Sequence, residues 1–160
     1  MSTHQPRLPD PTAHVPRLTE LGGLLFEAVG NGSVPRTTIS LVHLRAGQLV
    51  GNTYLTARHT GDLRRGGETE DRISAVASWR DAPCFTGPER AALALVEAVL
   101  TPNPHGERVP DELYAQVSRH YDDLAITTLA LAIGQVNFFV PLVLVGRPLP
   151  GATPAEQWRR

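Results

Sequence analysis

Apolar residues recur along most of the chain with the spacing of an α-helix. A first run of Leu18, Leu21, Leu25 and Val29 at intervals of three and four ends at Gly30-Asn31-Gly32. A second apolar face opens after Pro35 and continues to Gly51. No segment alternates between apolar and polar residues as a strand would, so the pattern predicts an all-α fold.

Capping residues predict where five further helices begin. They are Asn52, Thr69, a Thr86…Glu89 capping box, the Pro110-Asp111 pair and Asp122. The first two of these helices should end near residues 65 and 79, and the one after Pro110 near residue 120. Such a succession of helices is typical of a helical bundle.

The last apolar segment, residues 124–145, is 22 residues long and carries no charge, which is enough to cross a bilayer. Polar Thr127, Gln135 and Asn137 interrupt it, and we expect Pro141 to break the helix. No basic cluster flanks it on one side. The sequence therefore favours a helix buried in the core or in a contact between subunits over a membrane span.

Composition restricts the possible partners and the domain organisation. The chain has 160 residues, a net charge of −1 and one cysteine, so it suits one domain, offers no basic surface for nucleic acid and excludes an intrachain disulfide. Four prolines in residues 1–16 and three in residues 148–160 predict flexible tails at 1–16 and 147–160 around a domain at 17–146. The absence of an apolar leader favours a cytoplasmic protein, and the use of Arg without Lys suggests a GC-rich bacterial genome.

The segments "LRAGQLVG", "ARHTGDLRRGGE" and "SAVASWRDAPCFTGPERAALAL" resemble the carboxymuconolactone decarboxylase and alkylhydroperoxidase D-like family. The resemblance extends over roughly residues 15–140. It implies an all-helical bundle that assembles as a homo-oligomer, such as a dimer, trimer or hexamer, and it predicts a small-molecule substrate or ligand. It also implies that the adjacent residues Trp79 and Arg80 have a structural role, in which Arg80 pairs with a carboxylate.

Redox members of this family carry a Glu, two cysteines and a His at fixed spacing, and the thiolate attacks a hydroperoxide. The corresponding positions here are Ser40, Asn52, Leu55 and His59. Only the histidine remains, so the resemblance does not imply two-cysteine peroxidase activity. The decarboxylase branch uses a histidine with carboxylates and no metal or organic cofactor, but no Asp or Glu lies between Arg45 and His59, and we expect the carboxylate partners to be missing locally.

Four residues are candidates for the site. His59 is a candidate acid–base catalyst, because histidine side chains in general titrate near neutral pH, and Tyr54 is a possible proton donor. Asn52 and Ser40 are candidates for binding substrate. For Asn52 the favoured alternative is that it only caps a helix. For Ser40 the hypothesis is a water-bridged contact to His59. His43, one turn after Ser40, is expected at the solvent or at a subunit interface.

These residues predict a cofactor-independent enzyme of decarboxylase, isomerase, dehydratase or cyclase type, with His59 as acid or base. A non-catalytic oligomeric protein that binds a ligand or acts as a scaffold is the alternative. Hydroperoxide reduction through the single Cys84 is a weaker alternative, because we expect this cysteine to be a small buried hydrophobic residue. The six histidines show no metal-binding spacing, so we expect no metal.

Overall fold

A computed structural model describes residues 5–159 of the chain, and within this range all regular secondary structure is helical. Eight α-helices and a short 3₁₀ turn, Val76–Ser78, make up the described fold. In chain order the helices are α1 (Pro11–His14), α2 (Arg17–Val29), α3 (Arg36–Val50), α4 (Thr53–Arg65), α5 (Glu70–Ala75), α6 (Gly87–Leu100), α7 (Asp111–Ser118) and α8 (Asp123–Gly146).

The all-α prediction is confirmed, with two differences in detail. The segment after Thr69 is helical only to Ala75 and then tightens into the 3₁₀ turn. The helix predicted to break at Pro141 continues through it to Gly146. Pro141 and Asn137 both lie on the exposed side of α8, so the Asn137 carbonyl that loses its helical hydrogen bond remains accessible to water.

Helix α3 lies at the centre of the bundle and contributes to two hydrophobic clusters. Val42 and Ala46 pack against residues of α6 and α8. Leu41 and Leu44 face the other way, toward α4, Trp79 and Phe85. Packing in both clusters therefore holds α3 in place on two sides. Polar residues can occupy the side of the helix that belongs to neither cluster.

Helices α3 and α4 form a tight antiparallel pair that positions the site. Gly51 ends α3 in the left-handed conformation with φ 70°, and Asn52 caps α4 by accepting a 3.0 Å hydrogen bond from the Leu55 amide. The helices approach closely at Gly47, where an added Cβ would lie 3.1 Å from the Leu55 Cβ. The contact sets the rotation of α4, and with it the direction of His59.

Helix α8 presents apolar residues to solvent as well as to the core. Its inner face contains Leu129, Ile133 and Val136, which are almost fully buried. Its outer face carries Leu124, Leu131, Phe138 and Val145, spaced by seven residues and between 43% and 59% exposed. Within residues 5–159, α8 is the one helix with the length and composition of a membrane span, and only a third of its most apolar window is buried.

The carboxylate of Glu97 on α6 connects the second cluster to α3. It accepts hydrogen bonds from the Arg45 guanidinium at 2.5 Å, from the Trp79 indole at 2.9 Å and from Arg80 at 2.7 Å. The expected pairing of Arg80 with a carboxylate is therefore present. These three hydrogen bonds lower the pKa of Glu97 in spite of its desolvation by burial, which acts in the opposite direction.

Candidate active site

A cavity of about 920 Å³ lies between α2, α3, α4, α8 and the segment that follows α8. Three of the four predicted site residues, Ser40, Tyr54 and His59, line it. Asn52 does not, because its side chain is occupied as the N-cap of α4. The polar residues cluster where α3 and α4 meet, and apolar residues of α8, including Val136 and Phe139, form the opposite wall.

His59 is buried and has a carboxylate partner. Its Nδ1 atom lies 3.1 Å from Oδ2 of Asp62, which also accepts a 2.5 Å hydrogen bond from Arg65 through Oδ1. The expectation that His59 lacks a nearby carboxylate was wrong, because Asp62 lies three residues after His59, outside the interval from Arg45 to His59. On a helix, positions i and i+3 are neighbours, so the predicted helix over 52–65 already contained the signal.

The pair has a defined hydrogen-bonding polarity. The hydrogen bond from His59 is the largest influence that holds the pKa of Asp62 below its ordinary value of 3.8. An ionised Asp62 can only accept a hydrogen bond. Nδ1 of His59 therefore carries the hydrogen and donates the hydrogen bond to the carboxylate. The neutral ring then has its lone pair on Nε2, which is the atom available for proton transfer.

His43 lies beside His59 in the cavity, with the two ring centroids 5.0 Å apart. Of the two places expected for His43, the solvent was wrong: this half-buried side chain lines the cavity, and its Nε2 is 3.1 Å from the Ala132 carbonyl of α8, which only an N–H can satisfy. A place at a subunit interface stays a prediction. Desolvation by burial, followed by the charge of His59, lowers the pKa of His43 to about 3. His43 is therefore a neutral group in the cavity at ordinary pH.

Tyr54 is held by the end of the chain. Its hydroxyl donates to the Gln157 side-chain oxygen, and Nη1 of Arg58 lies 3.4 Å from the same hydroxyl. Gln157 and Trp158 both line the cavity, which no pattern in the sequence had indicated. Ser40 lies one turn before His43 on α3 and lines the same wall, so its predicted proximity to the histidine face is consistent with the cavity.

The chain matches the carboxymuconolactone decarboxylase family over residues 15–98. The protein YdfG of Bacillus subtilis is 41% identical to it over 106 residues, which cover 66% of this chain and 70% of that protein. The chain belongs to the carboxymuconolactone decarboxylase family. A second relative, YnjA of Escherichia coli, is 38% identical over 69 residues, which cover 43% of this chain and 36% of YnjA.

Solved structures agree with this family assignment. Protein ATU0492 of Agrobacterium tumefaciens, a protein of unknown function for which an antioxidant-defence role as AhpD has been suggested, has a TM-score of 0.82 at 25% identity, over 93% of this chain and 100% of that chain. The debrominase Bmp8 has a TM-score of 0.77 at 18% identity, over 92% and 78% of the two chains. A cysteine-to-alanine variant of Bmp8 with 2,3,4-tribromopyrrole superposes with a TM-score of 0.77 at 19% identity, over 90% of this chain and 76% of that chain. At these identities the Bmp8 likeness concerns the fold.

This family member lacks the paired cysteines, and its one cysteine lies away from the cavity. Leu55, at the second of the two cysteine positions, is buried in the core at 3% exposure. Cys84 is exposed, which corrects the expectation that it is buried. The neighbouring Phe85 fills the core at that turn instead, while the Cys84 carbonyl accepts a hydrogen bond from Arg72.

The donors in the cavity do not form a metal site. Within residues 5–159 no group of three or more His, Cys, Asp or Glu side chains converges in a way that could hold an ion. His43 and His59 are neighbours in the cavity, but the described residues supply no third ligand that converges with them. The polar side chains of the cavity offer hydrogen-bond donors and acceptors.

Proposed function

We propose that this protein is a small-molecule enzyme that works without a cofactor, with His59 as the catalytic acid or base and Asp62 as its positioning residue. The observation that carries the proposal is the His59–Asp62 hydrogen bond inside a cavity large enough for a metabolite. A buried imidazole oriented by a carboxylate is the arrangement that general acid–base catalysis requires.

The reaction class follows from the groups that the cavity offers. Nε2 of His59 accepts a proton from a carbon or hydroxyl of the substrate, and Asp62 stabilises the imidazolium that forms. The Tyr54 hydroxyl on the same helix can act as a proton donor only when it gives up its hydrogen bond to Gln157, and otherwise its oxygen accepts. The neutral His43 and Ser40 supply hydrogen bonds without a charge. Decarboxylation, isomerisation, dehydration and cyclisation all need such groups.

Thiol chemistry has less support. A two-cysteine cycle is excluded by the single cysteine of the sequence. Reduction of hydroperoxides through Cys84 would take place on an exposed turn outside the cavity, without His59 or Asp62 to activate the thiol. The cavity would then have no part in the reaction.

A non-catalytic ligand-binding protein is the second candidate. The burial of Leu55 favours it, because packing now occupies a position that carries a reactive thiol in redox relatives. Under this hypothesis the His59–Asp62 pair would hold a ligand or stabilise α4, and no substrate would be consumed.

A metabolite comparison separates the two candidates. A bacterial strain without this gene is complemented with the wild type, with His59→Gln or with His105→Gln, which alters an exposed histidine outside the cavity. The enzyme hypothesis expects an intermediate that accumulates in the deletion strain and is cleared by wild type and His105→Gln but not by His59→Gln. Clearance by all three variants would contradict catalysis by His59 and favour the binding protein.

A further inference from the structure

The segment after α8, residues 148–159, closes one side of the cavity, and we propose that its residues Gln157 and Trp158 determine which molecules reach His59. We call residues 148–159 the C-terminal segment. The family match ends at residue 98, so this wall comes from a part of the chain outside it. The proposal deepens the proposed function, because it assigns selectivity to the same cavity, but its geometric part does not depend on catalysis.

The C-terminal segment folds back on α8 at a defined turn. Arg147 has the left-handed conformation with φ 54°, and Pro148 after it is fully buried. The Leu149 amide donates a 2.7 Å hydrogen bond to the Gln157 carbonyl, which closes the segment into a loop. The loop brings residues 157 and 158 back to the end of α8 and thereby to the cavity.

Trp158 is seated on a glycine that leaves room for its ring. An added Cβ at Gly146 would lie 2.6 Å from Cζ3 and 3.0 Å from Cη2 of Trp158. Real Cβ atoms do not approach a ring so closely, so any side chain at this position would displace the indole. The N-terminal segment contacts the same point, since the Arg7 amide donates a 2.7 Å hydrogen bond to the Gly146 carbonyl.

Gln157 connects the C-terminal segment to the predicted catalytic helix. Its side-chain oxygen accepts the Tyr54 hydroxyl proton, which fixes the position of that hydroxyl at the cavity. The amide nitrogen of the same side chain remains available to donate to an oxygen of a bound molecule. Trp158 adds a broad apolar surface next to it, so the two residues together limit the size of what enters.

The experiment measures access to His59 with two reagents of the same chemistry and different size. Diethyl pyrocarbonate and the bulkier di-tert-butyl dicarbonate both acylate a neutral imidazole. Trypsin cleaves after Arg58 and after Arg64 and so releases His59 on the peptide 59–64, apart from the exposed His105. At each histidine we compare the extent of acylation by the small reagent with that by the large one. This ratio at His59, divided by the same ratio at His105, measures how strongly the cavity selects by size.

Gly146→Ala displaces Trp158, and Gly23→Ala is the matched control, because a Cβ at this helical glycine meets nothing within 4 Å. We expect Gly146→Ala to increase acylation of His59 at least about fivefold and to remove most of the size preference, since a displaced wall exposes the cavity. Gly23→Ala should leave both values at the wild-type level.

Trp158→Ala and Gln157→Ala decide the result if Gly146→Ala does not fold, because both remove atoms and add none. Trp158→Ala should repeat the effect on His59. Gln157→Ala should increase nitration of Tyr54 by tetranitromethane relative to the exposed Tyr114. Unchanged His59 reactivity and size preference in Gly146→Ala and Trp158→Ala would overturn the proposal, even if His59→Gln abolishes metabolite clearance. The opposite result is a changed size preference in these variants together with no metabolite cleared by the wild type. It would support the role of Gln157 and Trp158 and contradict the enzyme hypothesis.

Discussion

The Nδ1 atom of His59 and a carboxylate oxygen of Asp62 are 3.1 Å apart, and both residues belong to α4. Helix geometry therefore sets the distance between them, without help from a second element. Asp62 is also tied to Arg65 on the next turn, so the carboxylate has little freedom to leave the imidazole. The orientation of the pair is therefore set within α4 itself.

Asp62→Asn should lower the turnover of the substrate about 10–100-fold, less than the 10²–10⁴-fold loss expected for His59→Gln. The amide no longer selects the Nδ1–H tautomer or stabilises the imidazolium. Turnover is measured on the intermediate found in the metabolite comparison, and ¹⁵N NMR of His59 reports the tautomer. Glu70→Gln, at an exposed carboxylate paired with Arg64, is the control. An unchanged tautomer in Asp62→Asn would contradict the positioning role.

Burial of His43 should make the protein less stable in mild acid. Its pKa is lowered to about 3 in the fold from an ordinary 6.5, so between these values the unfolded chain binds a proton that the folded chain does not. Above pH 6.5 the titration of His43 does not affect the free energy of unfolding. As the pH decreases from 6.5 toward 3, it lowers that free energy by at most about 1.4 kcal/mol per pH unit. His59, Asp62 and Arg58 are the charged or titratable groups that act on His43.

His43→Gln keeps a donor for the Ala132 carbonyl and removes the titration. Urea unfolding of this variant between pH 7 and 4 should show a smaller loss of stability than the wild type. The low pKa of Asp62 adds acid sensitivity only below its ordinary value of 3.8, outside this interval. His105→Gln should retain the wild-type slope. Equal slopes in wild type and His43→Gln would show that His43 is not the origin of the acid sensitivity.

Glu97→Ala should destabilise the fold by about 2–4 kcal/mol, because it leaves the partly buried Arg45 without its carboxylate and Trp79 without its acceptor. Thermal and urea unfolding measure the change. Glu70→Ala removes a carboxylate from a fully exposed ion pair and should have a much smaller effect. A similar loss in both variants would mean that the Glu97 network contributes no more than a surface pair.

The outer face of α8 should mediate self-association. We propose a homo-oligomer because Leu124, Leu131, Phe138 and Val145 form an apolar stripe that the described chain leaves uncovered. Sedimentation of Phe138→Glu should show a smaller species than the wild type. Asn137→Glu, next to it on the exposed surface but outside the stripe, serves as a control. A monomeric wild type would contradict the proposal.

The helices could be predicted from the sequence because their signals are local. Gly51, Asn52 and the Thr86…Glu89 capping box act within a few residues, and the structure has each of them in the expected role. Pro141 misled the prediction because the cost of an internal proline depends on whether the carbonyl it frees can reach water, and that depends on the tertiary surroundings.

The site could be predicted only in part. His59, Tyr54 and Ser40 came from the resemblance and line one cavity, whereas Asp62 was within reach of helical spacing and was missed. The places of Gln157 and His43 depend on contacts between residues far apart in the chain: Tyr54 and Gln157 are separated by 103 positions, and His43 and Ala132 by 89. No local pattern records such contacts.

The hydrogen bond from Tyr54 to Gln157 also has a consequence for the order of folding. Its partners are 103 positions apart, and closing so long a loop costs entropy, so we expect this contact to form after α4 and α8. We therefore expect the cavity to be completed late in folding and to open before the helices of the core on local unfolding. The amide of Leu149 should then exchange hydrogen faster than those of α3, and a bound metabolite should slow that exchange by adding its binding energy to the cost of opening.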